Sequence, residues 1–545
     1  MNNQQFIDIC SQALVLGCTS SICALFCLDG MKLRLLWRSE FFFYVSLTAI
    51  AYYWMKVSEL PGAEFSFFFG LFAGCAIGTW WLRTGILHLD KWLYSLSTHS
   101  LVHANKHSDI RKVLSSDRLP DLSYDPWTLF IKGKHFMGVD ESGAPFYLDQ
   151  LSHGFYGGTT GSGKGNALQS HAAQSILNDE ALLYLDPKDD KFAPHAVYAA
   201  CQKFHRPYRY INVGSDQPAQ INVLAGASLR ELVQLLQAGF SLTDKSTDGD
   251  YHRGNDRKAA RHLAALIIQH NLTLAEAFER VREDTFFQTK ASGFLEKLES
   301  VATLPAINAK TDDSALGTLV KDGGAIYVQS GMDEEVEKIA QRLILIRVVQ
   351  IASSRDRLHT APRMVCVIAD EVRFQISRPL LNILSAGRDK SLRTLLAFQS
   401  MADLRAAECD IQPDVIEGIV LENTPVKHIY RIEDPRTAAW LAEKSGQVLV
   451  RVDSFETTKN LLLAERLTKS VVREERAFLL DPNVTLTLPS GWGALLHRGQ
   501  VFRLLIRSLP CTLCKEAITV TSDTSHFNAS PKTTPGSFFS MEDPT

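Results

Sequence analysis

The hydrophobic pattern divides the chain into a front section and a long remainder. Residues 41–55 (FFFYVSLTAIAYYWM) and 65–82 (FSFFFGLFAGCAIGTWWL) are dense in large apolar groups, while 10–28 are uncharged but diluted by Ser, Thr and Gln. A helix crossing a bilayer needs roughly 17–25 mostly apolar residues. Spans are therefore expected at about 39–56 and 65–82, with 10–28 as a possible extra one and residues 1–100 as a membrane anchor. Lys32, Arg34 and Arg38 precede this hairpin and Arg83 and Lys91 follow it, whereas the connecting loop sets Lys56 against Glu59 and Glu64. Basic residues collect on the cytoplasmic side, which places both ends of the hairpin inside the cell. Residues 1–9 carry no Lys or Arg, so the basic start of a signal peptide is missing and the N-terminus is expected to be retained.

After about residue 100 the pattern changes to short apolar runs alternating with amphipathic helical stretches. Ala181 to Leu185, Gly324 to Val328, Met364 to Ala369 and Thr394 to Phe398 read as buried strands with helices between them. That alternation predicts an α/β domain with a mainly parallel sheet. The strand pattern stops over 227–316, where Ser228 with Glu231 and Thr273 with Glu276 have the spacing of helix-starting capping boxes. An all-α insertion is expected there, between the two parts (101–226 and 317–510) of one α/β domain. Residues 511–545 turn rich in Ser, Thr and Pro and are expected to be disordered.

The 545 residues are 46% hydrophobic and 21% charged, with a net charge of −3. No overall basic field exists, so contact with nucleic acid needs a local patch. The ten cysteines are scattered or sit in apolar stretches, unlike a secreted disulfide framework, and Cys511 and Cys514 form an isolated pair with no neighbouring ligand residues.

The chemistry begins at GGTTGSGKGN, residues 157–166. Gly158, four intervening residues, then Gly163 and Lys164 reproduce the spacing of a phosphate-binding loop. In such a loop backbone N–H groups of Gly158, Thr159, Thr160, Gly161, Ser162, Gly163, Lys164, Gly165 and Asn166 surround the phosphates, and the lysine reaches the β and γ oxygens. Gly165 stands where a Ser or Thr hydroxyl usually ligates Mg²⁺. The apolar run ending at Ala369 is followed by Asp370 and Glu371, the form of a Walker B segment. Asp370 is the expected Mg²⁺ ligand and Glu371 the group that orients and polarises the attacking water. Asp186, Pro187 and Lys188 end another strand and read either as a ligand-collecting terminus or as a polar turn. Gly387 and Arg388 precede the strand that leads to Gln399. Gln399 is a candidate γ-phosphate sensor in cis, and Arg388 a candidate for reaching a neighbouring subunit's site.

Taken in order, GTTGSGKG, LYLDPKDDK, VIADEV and GRDKSLRTLLAFQSMADL resemble the type IV secretion coupling proteins, in their TraG/TraD-like branch. INVLAG, KDGGAIYVQ and LENTPVKHIYRIEDPRTAAWLAEKSG add to the resemblance, which spans most of 35–505. It implies a RecA-like P-loop ATPase domain with an inserted all-α domain behind a transmembrane hairpin. It further implies ATP and Mg²⁺ as cofactors, a homo-hexamer, and a bacterial inner-membrane location with the motor cytoplasmic. The implied task is to bring DNA with its relaxase, or protein effectors, to the secretion channel. Within that family Lys164, Glu371, Arg388 and Gln399 take the catalytic roles, and a glycine after the P-loop lysine is an accepted variant. The alternatives are an FtsK-type DNA translocase, which calls for a longer membrane region and linker before the motor, and a membrane scaffold with a degenerate nucleotide site.

Overall fold

In this computed structural model the described residues are 3–28, 36–61, 63–80, 119–216, 219–242, 250–310, 315–331, 334–357, 359–407, 409, 411–460 and 463–520. They form two units, one comprising Met1–Asp109 with Leu449–Arg476 and the other Ile110–Val448 with Ala477–Thr545.

The strands fall mostly in the second unit, where the parallel ones are buried apolar runs. In chain order the strands are β1 (His135–Val139), β2 (Pro145–Leu148), β3 (Gly154–Gly157), β4 (Ala181–Asp186), β5 (Tyr208–Asn212) and β6 (Gly324–Gln329). There follow β7 (Val365–Ala369), β8 (Leu392–Phe398), β9 (Val426–Ile429), β10 (Gln447–Asn460), β11 (Leu463–Phe478), β12 (Trp492–His497) and β13 (Gln500–Leu505). β10 and β11 pair in a sheet of their own, and the rest make one 11-stranded sheet in the order β2-β1-β13-β12-β9-β3-β8-β7-β4-β6-β5.

The seven strands from β9 to β5 run parallel. Every residue of β4, β7 and β8 is buried, as expected for parallel strands covered on both faces by helices. β12, β13, β1 and β2 extend the β9 side with antiparallel pairs. These four strands were not anticipated from the chain's periodicity: β2 and β13 are only partly buried and their apolar runs are weak.

Helices occupy Leu229–Gly239, Asp250–His270, Leu274–Val281, Thr285–Lys290 and Ser292–Ala302, between β5 and β6. Both sequence-predicted capping boxes form, Ser228 with Glu231 and Thr273 with Glu276. Phe240 and Phe294 meet edge to face at 5.2 Å, joining the first and last of these helices. Leu263 and Ile267 are buried, giving the Asp250–His270 helix a packed apolar face.

Part of the expected disorder after residue 510 is corrected. Residues 515–518 form a short 3-10 helix, Ala517 is buried and its carbonyl accepts a hydrogen bond from Tyr208 Oη at 2.7 Å. Val520 bridges Tyr210 of the edge strand β5. An edge strand presents unpaired backbone groups, and this segment covers them while burying Ala517 and packing Cys511 and Val520 on the core. Residues 521–545 lie outside the described residues.

In the first unit Asn3–Leu28 is one continuous helix, longer than the 10–28 stretch singled out in the sequence, and Leu36–Val57 is a second. Ala63–Trp80 is, among the described residues, the one helix long and apolar enough to cross a membrane. It packs backbone to backbone on the first helix: a Cβ added at Gly70 or Gly74 would lie 2.3 Å from the Cys10 carbonyl oxygen or 2.1 Å from that of Leu14. Small residues four apart permit such an approach. On the second helix Trp54 packs against Phe67, with ring centroids 4.9 Å apart.

Candidate nucleotide site

β3 lies between β8 and β9, and its Phe155 and Tyr156 are fully buried. The chain leaves it through the loop 158–163 and enters the helix Lys164–Leu177, whose N-cap is Gly163. Gly163 has φ +118°, and a Cβ there would lie 2.8 Å from the Gly491 Cα; one at Gly158 would lie 2.6 Å from Ser162 Oγ. Glycine is required at both positions. The loop is held from outside by Thr159 N donating to the Arg431 carbonyl at 2.9 Å, Gly491 N to that of Ser162 at 2.8 Å, and Ser490 Oγ to that of Gly161 at 2.8 Å. Ser490, Gly491 and Arg431 escape sequence reasoning because their contribution is made by backbone atoms or by a turn far along the chain.

The carboxylates come from the end of β7, between β4 and β8. Asp370 N donates to the Leu185 carbonyl at 3.1 Å, extending the pairing with β4 one residue beyond the strand. Glu371 then takes a left-handed conformation at φ +48°, an uncommon geometry for a non-glycine residue that concentrates at functional sites. The turn sends its side chain under the phosphate loop, where only 1% of it is exposed and Oε1 lies 3.8 Å from Lys164 Nζ. Gln399, just past β8, donates through Nε2 to the same oxygen at 2.8 Å. Lys188 Nζ pairs with that oxygen too and stands 3.6 Å from Asp370 Oδ1.

Burial pushes the Glu371 carboxyl up, but Lys164, Lys188 and the Gln399 hydrogen bond outweigh it and hold Glu371 below the usual range. Burial likewise pulls the Lys188 ammonium down, and Asp370 and Glu371 more than offset this. For Lys164 burial prevails and its ammonium is lowered. Asp186 does not face this cluster as a ligand. Its Oδ1 accepts from Lys188 N at 2.9 Å, and its Oδ2 from Asp190 N at 2.8 Å and Tyr327 Oη at 2.6 Å. It forms the turn that carries Lys188.

The structure thus brings Lys164, Asp370, Glu371 and Gln399 together at the C-terminal ends of neighbouring parallel strands, where open α/β sheets bind ligands. Arg388 is not among them. It is exposed in the short 3-10 helix that precedes β8, at the opposite end of that strand from Gln399. The pattern left Lys188 between a ligand-collecting strand end and a polar turn, because its pairing across β4 and β7 depends on strand order.

The donors fit a magnesium nucleotide. Lys164 Nζ is buried yet makes no hydrogen bond, and phosphate oxygens would supply its acceptors. A Cβ at Gly165 meets nothing within 4 Å, so the helix start has room for a ligand but offers no hydroxyl. Mg²⁺ commonly keeps several waters and takes one or two carboxylates together with substrate phosphates, which Asp370 alone can satisfy on the protein side.

A family model described as the TraM recognition site of TraD and TraG matches residues 364–490, a span that includes Asp370, Glu371, Arg388 and Gln399. The Escherichia coli protein named mobilization protein A is 27% identical over 331 residues, covering 58% of this chain and 59% of that protein. The chain thus matches about three-fifths of that relative's length. Among solved structures, the bacterial conjugative coupling protein TrwBdeltaN70, unbound, superposes with TM-score 0.55 at 15% identity, covering 71% of this chain and 91% of that one. The plasmid coupling protein TrwB in complex with ADP and Mg²⁺ gives TM-score 0.51 at 16% identity, covering 69% and 90%. At such identities the superpositions establish the fold alone, helices packed on a mainly parallel sheet. Together with the family model and the relative, they bear out what the motifs indicate: this chain resembles the TraG/TraD-like coupling proteins of type IV secretion.

Proposed function

We propose that this protein is an ATP-hydrolysing motor of a conjugation or type IV secretion system, anchored in the inner membrane, that drives DNA with its relaxase, or protein substrate, to the channel. The observation that carries the reading is the convergence of Lys164, Asp370, Glu371 and Gln399 at adjoining strand ends. The TrwB complex with ADP and Mg²⁺ supports the same ligands here.

In this reading the loop amides and Lys164 would bind the β and γ phosphates, and Asp370 would hold Mg²⁺, which would supply charge against that developing on the phosphates. Glu371, kept ionised by its cationic neighbours, orients and polarises the water. Gln399 fixes the Glu371 carboxylate and reads the γ-phosphate position. Arg388, exposed and remote from its own chain's site, acts in a neighbour's site within a ring of six. A docking partner of the TraM kind is expected to contact residues within 364–490, the span of the matching family model. The motor faces the cytoplasm, with Ala63–Trp80 and the helix Leu36–Val57 as the membrane hairpin.

Deleting the gene and restoring it as wild type or as Lys164→Ala, with transfer of a plasmid or export of an effector as readout, tests the reading. Transfer is expected with the wild type alone. Full transfer with Lys164→Ala would overturn the motor and favour a scaffold.

A further inference from the structure

Lys188 is fixed more firmly than a turn lysine needs to be. The Asp186 carboxylate takes its backbone N–H and that of Asp190, Tyr327 Oη holds the carboxylate from behind, and Gln341 Nε2 donates to the Asp186 carbonyl at 3.1 Å. From this platform the ammonium reaches both carboxylates at the end of β7. A carboxylate oxygen offers about two lone-pair directions. On Glu371 Oε1 these are met by Lys188 and by Gln399 at 2.8 Å, with Lys164 at 3.8 Å. In this arrangement the oxygen has no direction left for a water proton.

We propose that Lys188 is a positioning residue that competes with a divalent cation for the Asp370 and Glu371 pair, so that cation binding at Asp370 and release of Glu371 from Lys188 are one event. The inference rests on the nucleotide-site reading above. An ammonium and a divalent cation seek the same carboxylate oxygens and repel each other at short range. A cation on Asp370 and the Lys188 ammonium 3.6 Å from its Oδ1 therefore weaken one another. When Lys188 withdraws, Glu371 Oε1 regains a free direction and can orient water. The competition weighs more in this chain because Gly165 supplies no hydroxyl that would hold the cation independently of Asp370. The orientation of water by Oε1 is thereby tied to metal loading.

The test uses the full-length protein purified in detergent and Mn²⁺ as the probe, free Mn²⁺ being followed by its electron paramagnetic resonance signal with no nucleotide added. A single opposite charge within 4 to 6 Å shifts a carboxylate's proton affinity by about 1 to 3 units, so a comparable change is expected for a cation. Lys188→Met and Lys188→Gln should bind Mn²⁺ about tenfold tighter or more than the parent, Lys188→Arg should behave like the parent, and adding Asp370→Asn to Lys188→Met should remove the gain. Equal Mn²⁺ affinity in parent and Lys188→Met would overturn the proposal. The unmodified protein gives a second readout should the variants misfold. Acetic anhydride labelling of Lys188, followed by mass spectrometry, should rise when Mn²⁺ and ADP are added together, and unchanged labelling would also overturn it. Nucleotide binding measured on the same samples separates the two ideas: if ADP binds and Lys188 does not respond, the competition fails and the nucleotide site stands. If ADP does not bind at all, the nucleotide site itself fails.

Discussion

Gln399 Nε2 donates to Glu371 Oε1 at 2.8 Å, joining the end of β8 to the carboxylate that follows β7. A neutral amide bonded to an ionised oxygen contributes more than a neutral pair does, and here it fixes the rotation of the carboxylate as well as its charge. Gln399 is itself held, its backbone N–H donating to Asp403 Oδ2 at 2.8 Å in the cap of the next helix. The two side chains act as one unit, so changes at either should lower the same step.

Glu371→Gln is expected to retain ATP binding within a few-fold while hydrolysis falls about 10² to 10⁴-fold, the range attributed to general acid and base groups. Gln399→Ala should lower turnover by roughly 10 to 100-fold, matching the loss of one charge-assisted hydrogen bond. The double variant should lose much less than the product of the two single losses, because the Gln399 contact with Glu371 is already broken in Glu371→Gln. Steady-state hydrolysis beside fluorescent-nucleotide binding checks all three, and strictly multiplicative losses would mean that Gln399 acts elsewhere.

The phosphate loop makes a steric prediction. Gly163→Ala forces a Cβ to within 2.8 Å of backbone at Gly491 in a left-handed conformation, which costs about 1–2 kcal/mol before the clash is counted. Nucleotide affinity should fall about tenfold or more. Gly165→Ser meets open space and should fold and bind nucleotide at least as well as the parent. Titrations with a fluorescent ATP analogue decide; a Gly165→Ser protein that loses binding would show that the glycine serves the ligand and not merely the fold.

What could be read in the sequence was local. The phosphate loop, the Asp370 and Glu371 strand end and both capping boxes depend on residues a few positions apart, and so do the four buried runs that became β4, β6, β7 and β8. Lys188 could not be placed because its partners lie across two strands whose adjacency is a property of the sheet order. The β12, β13, β1 and β2 extension and the 511–520 cover of β5 share that obstacle: each is set by long-range pairing, with no periodic signal strong enough to announce it. In the first unit, the glycines at 70 and 74 were visible as residues, but their role appears only once the helix Asn3–Leu28 is laid against them.

Asp186 gives a prediction in pH. Burial outweighs its hydrogen bonds from Tyr327, Asp190 and Lys188 and pushes its carboxyl up to about 6 from 3.8. A carboxyl whose folded value is raised binds its proton more tightly in the folded protein. Its contribution therefore favours the fold fully below about pH 4 and is lost as pH rises through about 6. The change is on the order of 3 kcal/mol at one proton. Thermal unfolding of parent and Asp186→Asn between pH 4 and 7 should show the parent losing stability relative to the variant across that window. Parallel profiles would mean that Asp186 stays ionised throughout.

Arg388 sits at the far end of β8 from Gln399, exposed and on a turn, so it cannot assist its own chain's phosphates without rebuilding the sheet. A neighbour in a ring can present such a residue across the interface, and an arginine supplied in that way contributes about 10³ to 10⁵ in rate. Arg388→Ala is expected to bind nucleotide almost normally and to lose hydrolysis by a comparable factor. Lys164→Ala fails for the complementary reason, lacking the phosphate contact while keeping its arginine. Mixing the two inactive proteins should restore part of the activity, since some interfaces in a mixed ring pair an intact Lys164 with a neighbour's intact Arg388. Specific activity of the wild type should also rise with protein concentration as rings assemble. No recovery in mixed assemblies of verified composition, or activity independent of concentration down to the monomer, would return Arg388 to a solvated surface residue and leave Lys188 and Lys164 as the cations nearest the Glu371 carboxylate.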